Sequence, residues 1–443
     1  MQKAGVMRIL FVTEDFSGAS LCRRLADEGN DVRALVGDSE FLSILDGVVE
    51  KMSFDAAEDF SAHLNWLGHD GLIVVDDSGF GQLQDDLRAS GYAVVGGCAG
   101  ADRLEEDRLF CQEVLKQCGI RTLPIHHFQS VPEAIAFLEA RRGRWVLKHN
   151  GYPDKAICYA GQLDSAEDIL DLLRRSISEG YGGSHVVLQQ YIDGVEISVA
   201  RYFNGIDWVG STELNIEHKK LFPGDLGPNT YEMGNLLWYE KGANRLFDEV
   251  LNPLKAHLRK IGFHGDMDVN CIINADGAWP LELTPRFGYP ATELQIELHE
   301  SRWTDFLLAV AKGEDFSLRW KSGYAVAVLV AAPPFPCKPS KGTPWLSLPG
   351  LRIHFREPVS PDELAHYHFE EALRLPDGTW EICHDSGYVL HVTGHGETVE
   401  AAREAANRRA ANVIIPRAFF RTDIGGKFIY ESCQQLKQWG YVL

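Results

Sequence analysis

The sequence predicts a multidomain protein of mixed α/β and α+β class, with an open parallel sheet at its N-terminus. Three observations lead to this class. Residues 7–100 alternate apolar strands with helical segments, the middle of the chain mixes hairpins with helices, and a mainly antiparallel pattern begins near residue 320. The changes of pattern predict three domains, at residues 1–101, 102–320 and 321–443.

The composition is that of a folded, acidic chain. Of its 443 residues 45% are hydrophobic, and 63 acidic residues against 43 Lys and Arg give a net charge of −20. DNA or RNA has little electrostatic reason to bind such a chain, so we expect no nucleic-acid partner. We expect no membrane partner either, because no segment has transmembrane length and the start does not resemble a signal peptide. Nine cysteines without a C-x-x-C pair favour reduced thiols in a cytoplasmic protein.

The first hundred residues alternate strands and helices. "RILFVT", "DVRALVG", "DGLIVVD" and "YAVVGG" have strand character, and "ASLCRRLADEG" has helical character. Strands joined through helices run parallel, and their ligands gather beyond the carboxyl ends of the strands. The loop "TEDFSGAS" is therefore a candidate contact surface. It lacks the G-x-G-x-x-G glycines, so we expect no dinucleotide there.

The middle region is predicted to open with one helix, "ADRLEEDRLFCQEVLKQCG", which ends at Gly119. Further helices are expected at "VPEAIAFLEAR" and "AEDILDLLRRSISEG". Between them, "RWVLKHNGYPDKAICYAG" predicts two strands that carry Lys148 and Lys155 around a glycine turn. Two ammonium groups on such a hairpin can lie over a polyphosphate. Two solvated lysines are the alternative.

The next strand pair, "SHVVLQQYIDGVEISVARYF", breaks at Asp193 and Gly194. The break is predicted to leave backbone N–H and C=O groups free to read an adenine edge, and Glu196 could accept hydrogen bonds from ribose hydroxyls. An ordinary hairpin with an exposed acid is the alternative.

A polar segment follows at 217–234, "EHKKLFPGDLGPNTYEMG". It is too rich in glycine, proline and charge for a core. A long irregular segment inside a compact domain is more often functional than idle, so we expect it to contribute to a site.

Two strands near residue 275 carry oxygen-bearing side chains. "GDMDVNCIINADGAWPLELTPRFG" predicts a strand, an Asp-Gly turn at 276 and 277, and a second strand. Alternation places two sets of side chains together, Asp266, Asp268 and Asn270 on the first strand, then Glu282, Thr284 and Arg286 on the second. Such a pair suits Mg²⁺ with a phosphate attached. A salt-bridged edge strand is the alternative.

The order of these pieces resembles the ATP-grasp ligases, and within them the phosphoribosylamine–glycine ligase family. "GPNTYEMG" is similar to that family's GPNTGGMG, "EHKK" to its DHKR, "ELTPRFGYP" to its EFNxRFGDP, and "FFRTDIG" to its FYRRDIG. The match extends over nearly the whole chain. It implies an ATP-grasp domain at 102–320 with a lid subdomain at about 122–195.

The resemblance also implies cofactors and roles. The cofactors would be ATP and Mg²⁺, with Mn²⁺ as a substitute. The nucleotide site would comprise Arg108, Lys148, Lys155, Gln189, Gln190, Tyr191, Ile192, Glu196, Lys219 and Asn229. Glu282 would be the principal metal ligand, with Asp268 and Thr284 beside it. Arg286 and Lys155 would act as catalytic residues on the transferring phosphoryl group.

Several positions depart from the family pattern. The family's phosphate loop GGREHA is replaced by "TEDFSGAS". Single residues also differ: Arg108 for a lysine, Gln189 for the hinge acid, Tyr231 and Glu232 for two glycines, Thr284 for an asparagine, and Tyr289 and Ala291 for two acids. ATP chemistry is therefore expected to be retained, and substrate recognition to be changed.

Two functions are compatible with these observations. The first is an ATP-dependent ligase that joins a small carboxylate to a small amine through an acyl phosphate. The second is a non-catalytic nucleotide-binding or partner-binding homologue, consistent with the replaced family residues. We expect a monomer or a homodimer in either case.

Overall fold

A computed structural model of the chain describes residues 6–54, 60–148, 158–337 and 347–442. Lys155, a predicted phosphate-binding residue, lies outside these ranges. Within them, no helix combines the length and the apolar character needed to cross a bilayer.

The chain forms strands and helices throughout these ranges. The strands are β1 (Arg8–Thr13), β2 (Asp31–Val36), β3 (Glu50–Ser53), β4 (Leu72–Val75), β5 (Ala93–Val95), β6 (Ile125–Phe128), β7 (Trp145–Lys148), β8 (Tyr159–Ala160), β9 (Val186–Gln190), β10 (Val195–Asn204), β11 (Trp208–Glu217), β12 (Lys220–Phe222), β13 (Leu226–Asn229), β14 (Gly234–Tyr239), β15 (His264–Asn274), β16 (Gly277–Thr284), β17 (Tyr324–Ala331), β18 (Arg352–Phe355), β19 (Tyr367–Phe369), β20 (Ala372–Arg374), β21 (Trp380–Ile382), β22 (Tyr388–Gly396) and β23 (Val413–Ile414). The helices are α1 (Ala19–Asp27), α2 (Phe60–Leu67), α3 (Gly81–Ala89), α4 (Ala99–Glu106), α5 (Arg108–Gln117), α6 (Val131–Ala140), α7 (Glu167–Ser178), α8 (Lys255–Ile261), α9 (Ala291–Leu298), α10 (Trp303–Lys312), α11 (Pro361–Leu364), α12 (Val399–Asn412) and α13 (Cys433–Gln438).

The N-terminal region is the predicted open parallel sheet. Its strand order is β3-β2-β1-β4-β5, with β1 paired in parallel to both β2 and β4. All four residues of β4 are buried, as expected of a strand covered on both faces. The carboxyl ends of β1 and β4 therefore lie side by side, which places the loop after Thr13 next to Asp76 and Asp77.

The predicted single helix that ends at Gly119 is wrong, because the segment forms two helices. The chain is extended at Asp107, with φ −104° and ψ 92°, and this residue separates α4 from α5. The Asp107 carboxylate accepts a hydrogen bond from the backbone N–H of Phe110 at 3.0 Å and so caps α5. The break places Arg108 at the first position of α5.

A small antiparallel sheet follows, in the order β6-β9-β7-β8. Helices α6 and α7 pack against each other, and their apolar residues form a hydrophobic core with those of the sheet, separate from the main one. This unit has the composition of the predicted lid. Lys148 ends β7, and Gln189 and Gln190 end β9.

An eight-stranded sheet forms the centre of the molecule, in the order β16-β15-β10-β11-β14-β17-β22-β19. It continues from β14 into β17 across residue 320, where a domain boundary is predicted, so that boundary stays a prediction. A turn at Ala275 and Asp276 joins β15 to β16, one residue earlier than the predicted Asp-Gly turn, and Asn274 lies opposite Gly277. Helix α9 packs against α1, β17 and β22 and so joins the three parts of the chain.

The polar segment 217–234 is less irregular than the sequence suggests, because it contains the antiparallel hairpin β12-β13. Arg421, from the C-terminal tail, contacts this hairpin and holds it in place. Its guanidinium pairs with Asp225 at 3.2 Å and Asp423 at 2.8 Å, and it donates to the Lys220 carbonyl. The parallel N-terminal sheet, the small sheet and the large antiparallel sheet together confirm the predicted fold class.

Candidate active site

Two cations lie where the small sheet faces the large one. Lys148 is only 8% exposed at the end of β7, and Arg108 begins α5. Burial lowers the pKa of Lys148, the Arg108 charge lowers it further, and the Glu282 carboxylate acts in the opposite direction. Lys148, Arg108 and Glu282 are therefore near enough to influence one another, although they lie on three different elements.

Lys219 supplies a third cation and gathers three carboxylates. Its ammonium lies 2.7 Å from Glu217, 3.5 Å from Glu282 and 3.8 Å from Glu196. Burial lowers the pKa of Lys219, but the three carboxylates outweigh this and hold it well above its usual value. The ammonium is thus charged at any physiological pH, and it brings the predicted ribose acid Glu196 to the predicted metal ligand Glu282.

Asn270 is an oxygen-bearing residue that the predicted ligand set omitted. It lies directly opposite Glu282 across β15 and β16, so the two side chains share one face. Its amide N–H₂ donates to Glu196 at 2.8 Å, while its buried Oδ1 has no hydrogen-bond partner among the described residues. An orphaned carbonyl oxygen next to a carboxylate is a donor set that fits Mg²⁺. Strand pairing, once known, is the signal that identifies Asn270.

Asp268 and Thr284 are opposite each other in the same strand pair. The Asp268 carboxylate is already engaged, because Asn215 donates to it at 2.8 Å. Burial raises the pKa of Asp268 well above its usual value, and the Glu217 charge raises it further. In the part of the chain that the structure describes, no three His, Cys, Asp or Glu side chains are grouped to hold a metal ion. Any ion here would need additional ligands from a bound nucleotide.

The predicted adenine-binding segment forms the end of β9 and the turn after it. The backbone N–H of Gln190 donates to Pro124 and that of Tyr191 to Arg144, at 3.0 and 3.1 Å. The Arg144 guanidinium also stacks on the Tyr191 ring, 3.5 Å from its centroid. Gln189 is 1% exposed, yet within the described ranges neither polar atom of its amide has a partner.

Arg286 does not share a strand face with Glu282 and Thr284, as alternation predicted, because β16 ends at Thr284. Its guanidinium instead pairs with Glu105 at 3.1 Å and with Asp77 at 3.6 Å. Arg286 thus lies between the large sheet, α4 and the N-terminal domain. The predicted alternative of an edge strand also describes β16 in part, since it is the edge of the large sheet and Glu282 is ion-paired.

Asn229 ends β13 opposite Lys220, the neighbour of Lys219. The hairpin holds the Lys219 backbone through Thr230, whose N–H and hydroxyl both donate to the Lys219 carbonyl, at 2.7 and 2.9 Å. The polar segment therefore positions Lys219 among the carboxylates, which agrees with a contribution to a site.

The loop "TEDFSGAS" meets the carboxyl end of β4. Asp76, which follows β4, accepts hydrogen bonds from the Thr13 hydroxyl at 2.9 Å and from the Gly18 N–H at 2.8 Å. Thr13 ends β1 and Gly18 immediately precedes α1, so the Asp76 carboxylate lies at the N-terminus of this helix. A helix N-terminus is where phosphate would otherwise bind.

Comparison with known proteins identifies the middle of the chain. The model of the phosphoribosylglycinamide synthetase ATP-grasp (A) domain matches residues 106–292. The phosphoribosylamine–glycine ligase of Corynebacterium ammoniagenes is 29% identical over 359 residues, which cover 77% of this chain and 79% of that protein. The Pseudomonas aeruginosa protein of the same name is 29% identical over 394 residues, or 86% and 87% of the two chains.

Solved structures show the same fold. The phosphoribosylamine–glycine ligase of Thermotoga maritima superposes with a TM-score of 0.70 at 22% identity, covering 94% of this chain and all of that one. The biotin carboxylase domain of the Hydrogenobacter thermophilus 2-oxoglutarate carboxylase, in complex with MgADP, superposes with a TM-score of 0.64 at 12% identity, with 98% of both chains covered. The chain therefore shares the fold of these proteins along almost its whole length.

Proposed function

Because this chain is an ATP-dependent ligase of the ATP-grasp class, similar to phosphoribosylamine–glycine ligase, we propose that it joins a carboxylate to an amine through an acyl phosphate. A substrate carboxylate oxygen attacks the γ-phosphorus of ATP, the bond to the β-phosphate breaks, and ADP leaves. The amine nitrogen then attacks the acyl carbon, phosphate leaves, and the amine gives up a proton. The protein forms no covalent bond to substrate, so its task is positioning and charge stabilisation.

One observation carries this proposal. Lys148 of the small sheet, Arg108 of α5 and Lys219, between β11 and β12, lie near Glu282, so three cations and the proposed metal-binding carboxylate converge from separate elements. Such convergence is costly for folding alone, since the Lys148 ammonium is buried beside another cation. Bound phosphates would offset that repulsion.

Glu282 and the orphaned Oδ1 of Asn270 are the oxygens that we propose for Mg²⁺ or Mn²⁺. The ion would neutralise charge on the transferring phosphoryl group. Asp268 and Thr284 are assigned to the supporting layer beneath them, because Asp268 is held by Asn215. Lys219 would shift its ion pairs from these carboxylates towards the phosphates.

The nucleoside is proposed to bind along the end of β9. The N–H groups of Gln190 and Tyr191 are used within the protein, so adenine would be read by the Ile192 N–H and by carbonyls of the segment. Gln189, with its buried unpartnered amide, and Asn229 would add side-chain contacts. Glu196 is held by Asn270 near the proposed ribose.

Arg286 and Lys155 are proposed to act on the phosphoryl group. Arg286 is close enough to Glu105 and Asp77 to be oriented by them, and a guanidinium suits the spread charge of a phosphoryl transition state. The role of Lys155 on the phosphoryl group is proposed from the family resemblance alone. We expect phosphoribosylamine to be a poor acceptor, because the phosphate loop is missing and Asp76 occupies the helix N-terminus.

The test is release of ADP from the full chain with ATP, Mg²⁺ and a panel of small carboxylates and amines. Release that requires both a carboxylate and an amine supports the ligase. Nucleotide binding without release in any combination would instead favour the non-catalytic alternative, which Gln189, Arg108 and Thr284 suggest.

A further inference from the structure

An acidic pocket lies between the N-terminal sheet, α9 and the C-terminal strands. Its members come from four places in the chain: the buried acids Asp76 after β4, Glu293 in α9, and Glu370 and Glu371 after β19, together with the half-buried Tyr289 before α9. Helix α9 packs directly on α1 and on β22, which brings these segments together. The sequence gives no hint of this grouping.

The floor of the pocket is formed around the start of α1. Gly18 lies so close to the Asp76 carboxylate and the Tyr289 hydroxyl that an added Cβ would collide with both. The Tyr289 hydroxyl has no hydrogen-bond partner within the described ranges. Because Asp76 already accepts the Gly18 N–H, a substrate phosphate would meet a carboxylate where the helix could otherwise bind it.

Glu293 is the second, independent observation. It is 0% exposed, and in the described part of the chain neither carboxylate oxygen accepts a hydrogen bond of ordinary geometry. Burial and the nearby Glu370 raise the pKa of Glu293 to about 8. A buried carboxylate with both oxygens unmatched is costly, and native proteins rarely keep one without a ligand or a functional reason.

The wall opposite α9 adds acids rather than cations. His391 lies 2.8 Å from Glu370, but burial lowers the pKa of His391 to about 4, so it is neutral at physiological pH. The Tyr388 hydroxyl lies 3.3 Å from the other ring nitrogen of His391. His384 pairs with Glu371 at 3.2 Å and is the basic group on this wall that can take a charge.

The pocket adjoins the proposed phosphate site through Arg286. That guanidinium pairs with Asp77, the neighbour of Asp76, and with Glu105, whose pKa is affected by Glu282. Asp15 adds a further negative charge, which acts on Asp76, Asp77 and Glu370. Burial and mutual repulsion raise the pKa of Asp76, Glu293 and Glu370, so without a cation these carboxyls are largely protonated, and a bound ammonium group would favour their ionised form.

A metal ion is the less suitable occupant. Among the residues that the structure describes, no three acidic, histidine or cysteine side chains converge closely enough to coordinate one. The acids lie near the Tyr289 and Tyr388 hydroxyls, and carboxyls with hydroxyls suit hydrogen bonds to an organic ammonium group.

We propose that the acidic pocket binds an ammonium group of the acceptor, so that this ligase takes an amine with a second positive charge, such as a diamine or a basic amino acid, and not a phosphorylated amine. This inference rests on the proposed ligase function, because it takes the occupant to be the acceptor. One amino group is free to attack the acyl phosphate while the second stays protonated among the acids.

The test uses three amines with the same two-carbon frame: ethylenediamine, ethanolamine and O-phosphoethanolamine. Each is titrated calorimetrically into the full chain with Mg²⁺ and a non-hydrolysable ATP analogue. We expect ethylenediamine to bind about tenfold or more tightly than ethanolamine, as for one charge-assisted contact, and O-phosphoethanolamine to bind weakest. Equal binding of all three, or tightest binding of the phosphorylated amine, overturns the proposal.

Two variants locate the effect. Glu293→Gln keeps the shape but cannot ionise beside the ammonium group, and should reduce the preference for ethylenediamine about tenfold. Tyr289→Phe deletes a hydroxyl that has no partner to lose, so it should fold and weaken diamine binding several-fold. Glu300→Gln, an exposed acid just after α9, is the matched control and should change nothing. A full preference retained in both pocket variants contradicts the assignment.

These readouts separate the two proposals. Amine binding is measured without turnover, whereas the ligase function is measured by ADP release. A charge preference without ADP release for any carboxylate would reject the function and keep the pocket. ADP release that is greatest with the phosphorylated amine would support the ligase function and reject the proposed role of the acidic pocket.

Discussion

The proposed phosphate site and the acidic pocket treat charge in opposite ways. At the phosphate site, Lys148, Arg108 and Lys219 face carboxylates, and the Lys219 ammonium lies within 3.8 Å of three of them. In the pocket, Asp76 and Glu293 each keep a carboxylate oxygen without a partner in the described ranges. The charges of the proposed phosphate site are balanced and suit a polyanion, whereas the acidic pocket suits a cation.

The difference teaches where this chain departs from its relatives. The residues of the phosphate site largely keep the family's types. The substitutions at Tyr289, Tyr231 and Glu232 border the pocket, where Tyr231 packs edge-on against Tyr388 and the Glu232 charge also acts on that tyrosine. The residues proposed for nucleotide chemistry and those proposed for substrate choice thus form two different groups, and variants can test the two groups separately.

The largest effect is expected from Glu282→Gln. The variant preserves size but removes the charge that would hold the metal, so Mg²⁺-dependent ADP release should fall about a hundredfold or more while folding survives. Glu50→Gln is the matched control, since Glu50 lies on the edge strand β3 in an ion pair with Arg33 at 3.1 Å. Unchanged turnover in Glu282→Gln would leave β16 as a salt-bridged edge strand.

Lys148→Met should weaken ATP binding by about 1.5–3 kcal/mol, the worth of a charge-assisted hydrogen bond. Methionine replaces the buried stem, and removing the ammonium relieves repulsion from Arg108, so thermal stability should not fall. Isothermal titration with ATP measures the loss. Lys116→Met, on the exposed face of α5, is the control, and equal affinity in the two variants would refute the assignment.

Glu293→Gln should change how stability depends on pH. The pKa of Glu293 is about 8 in the folded chain against about 4.5 when unfolded, so the folded state binds more protons between these values. Stability contributed by the protonated group is therefore lost as pH rises from about 5 to 8.

The Glu293→Gln variant does not lose this stability. Between about pH 5 and pH 8 its free energy of unfolding should therefore increase relative to that of the wild type by an amount on the order of 2 kcal/mol. Urea unfolding at several pH values measures the difference. Parallel curves for wild type and Glu293→Gln would show that Glu293 titrates normally, and Glu300→Gln should stay parallel to wild type.

The smallest effect is expected from Thr284→Asn, which restores the family's residue beside Glu282. An added amide oxygen should lower the Mg²⁺ concentration needed for half-maximal ADP release a few-fold. Titration of Mg²⁺ in wild type and variant decides the matter. An identical metal dependence would mean that Thr284 lies outside the working ligand set.

Much of the fold could be read from the chain because it depends on local pattern. The buried strands of the parallel sheet are set by apolar runs, and turn chemistry located the turn between β15 and β16 to within one residue, at 275 and 276 instead of 276 and 277. The predicted helix through Asp107 was wrong because helical periodicity continues across the break, and only the cap on Phe110 reveals it. Arg286 was misplaced because alternation holds only as far as the strand, which ends at Thr284.

The sequence by itself determined the class of fold, which depends on the local pattern of strands and helices. It also predicted the ATP-grasp motifs and the site residues Lys148, Glu196, Lys219 and Glu282, because the order of motifs is a property of neighbouring residues. Only the tertiary structure decided that Asn270 faces Glu282, because an irregularity between Asn270 and Cys271 shifts the register that the hairpin turn alone would set. The acidic pocket likewise joins residues from Asp76 to Glu371, and the field that selects a substrate comes from charges that only folding brings together.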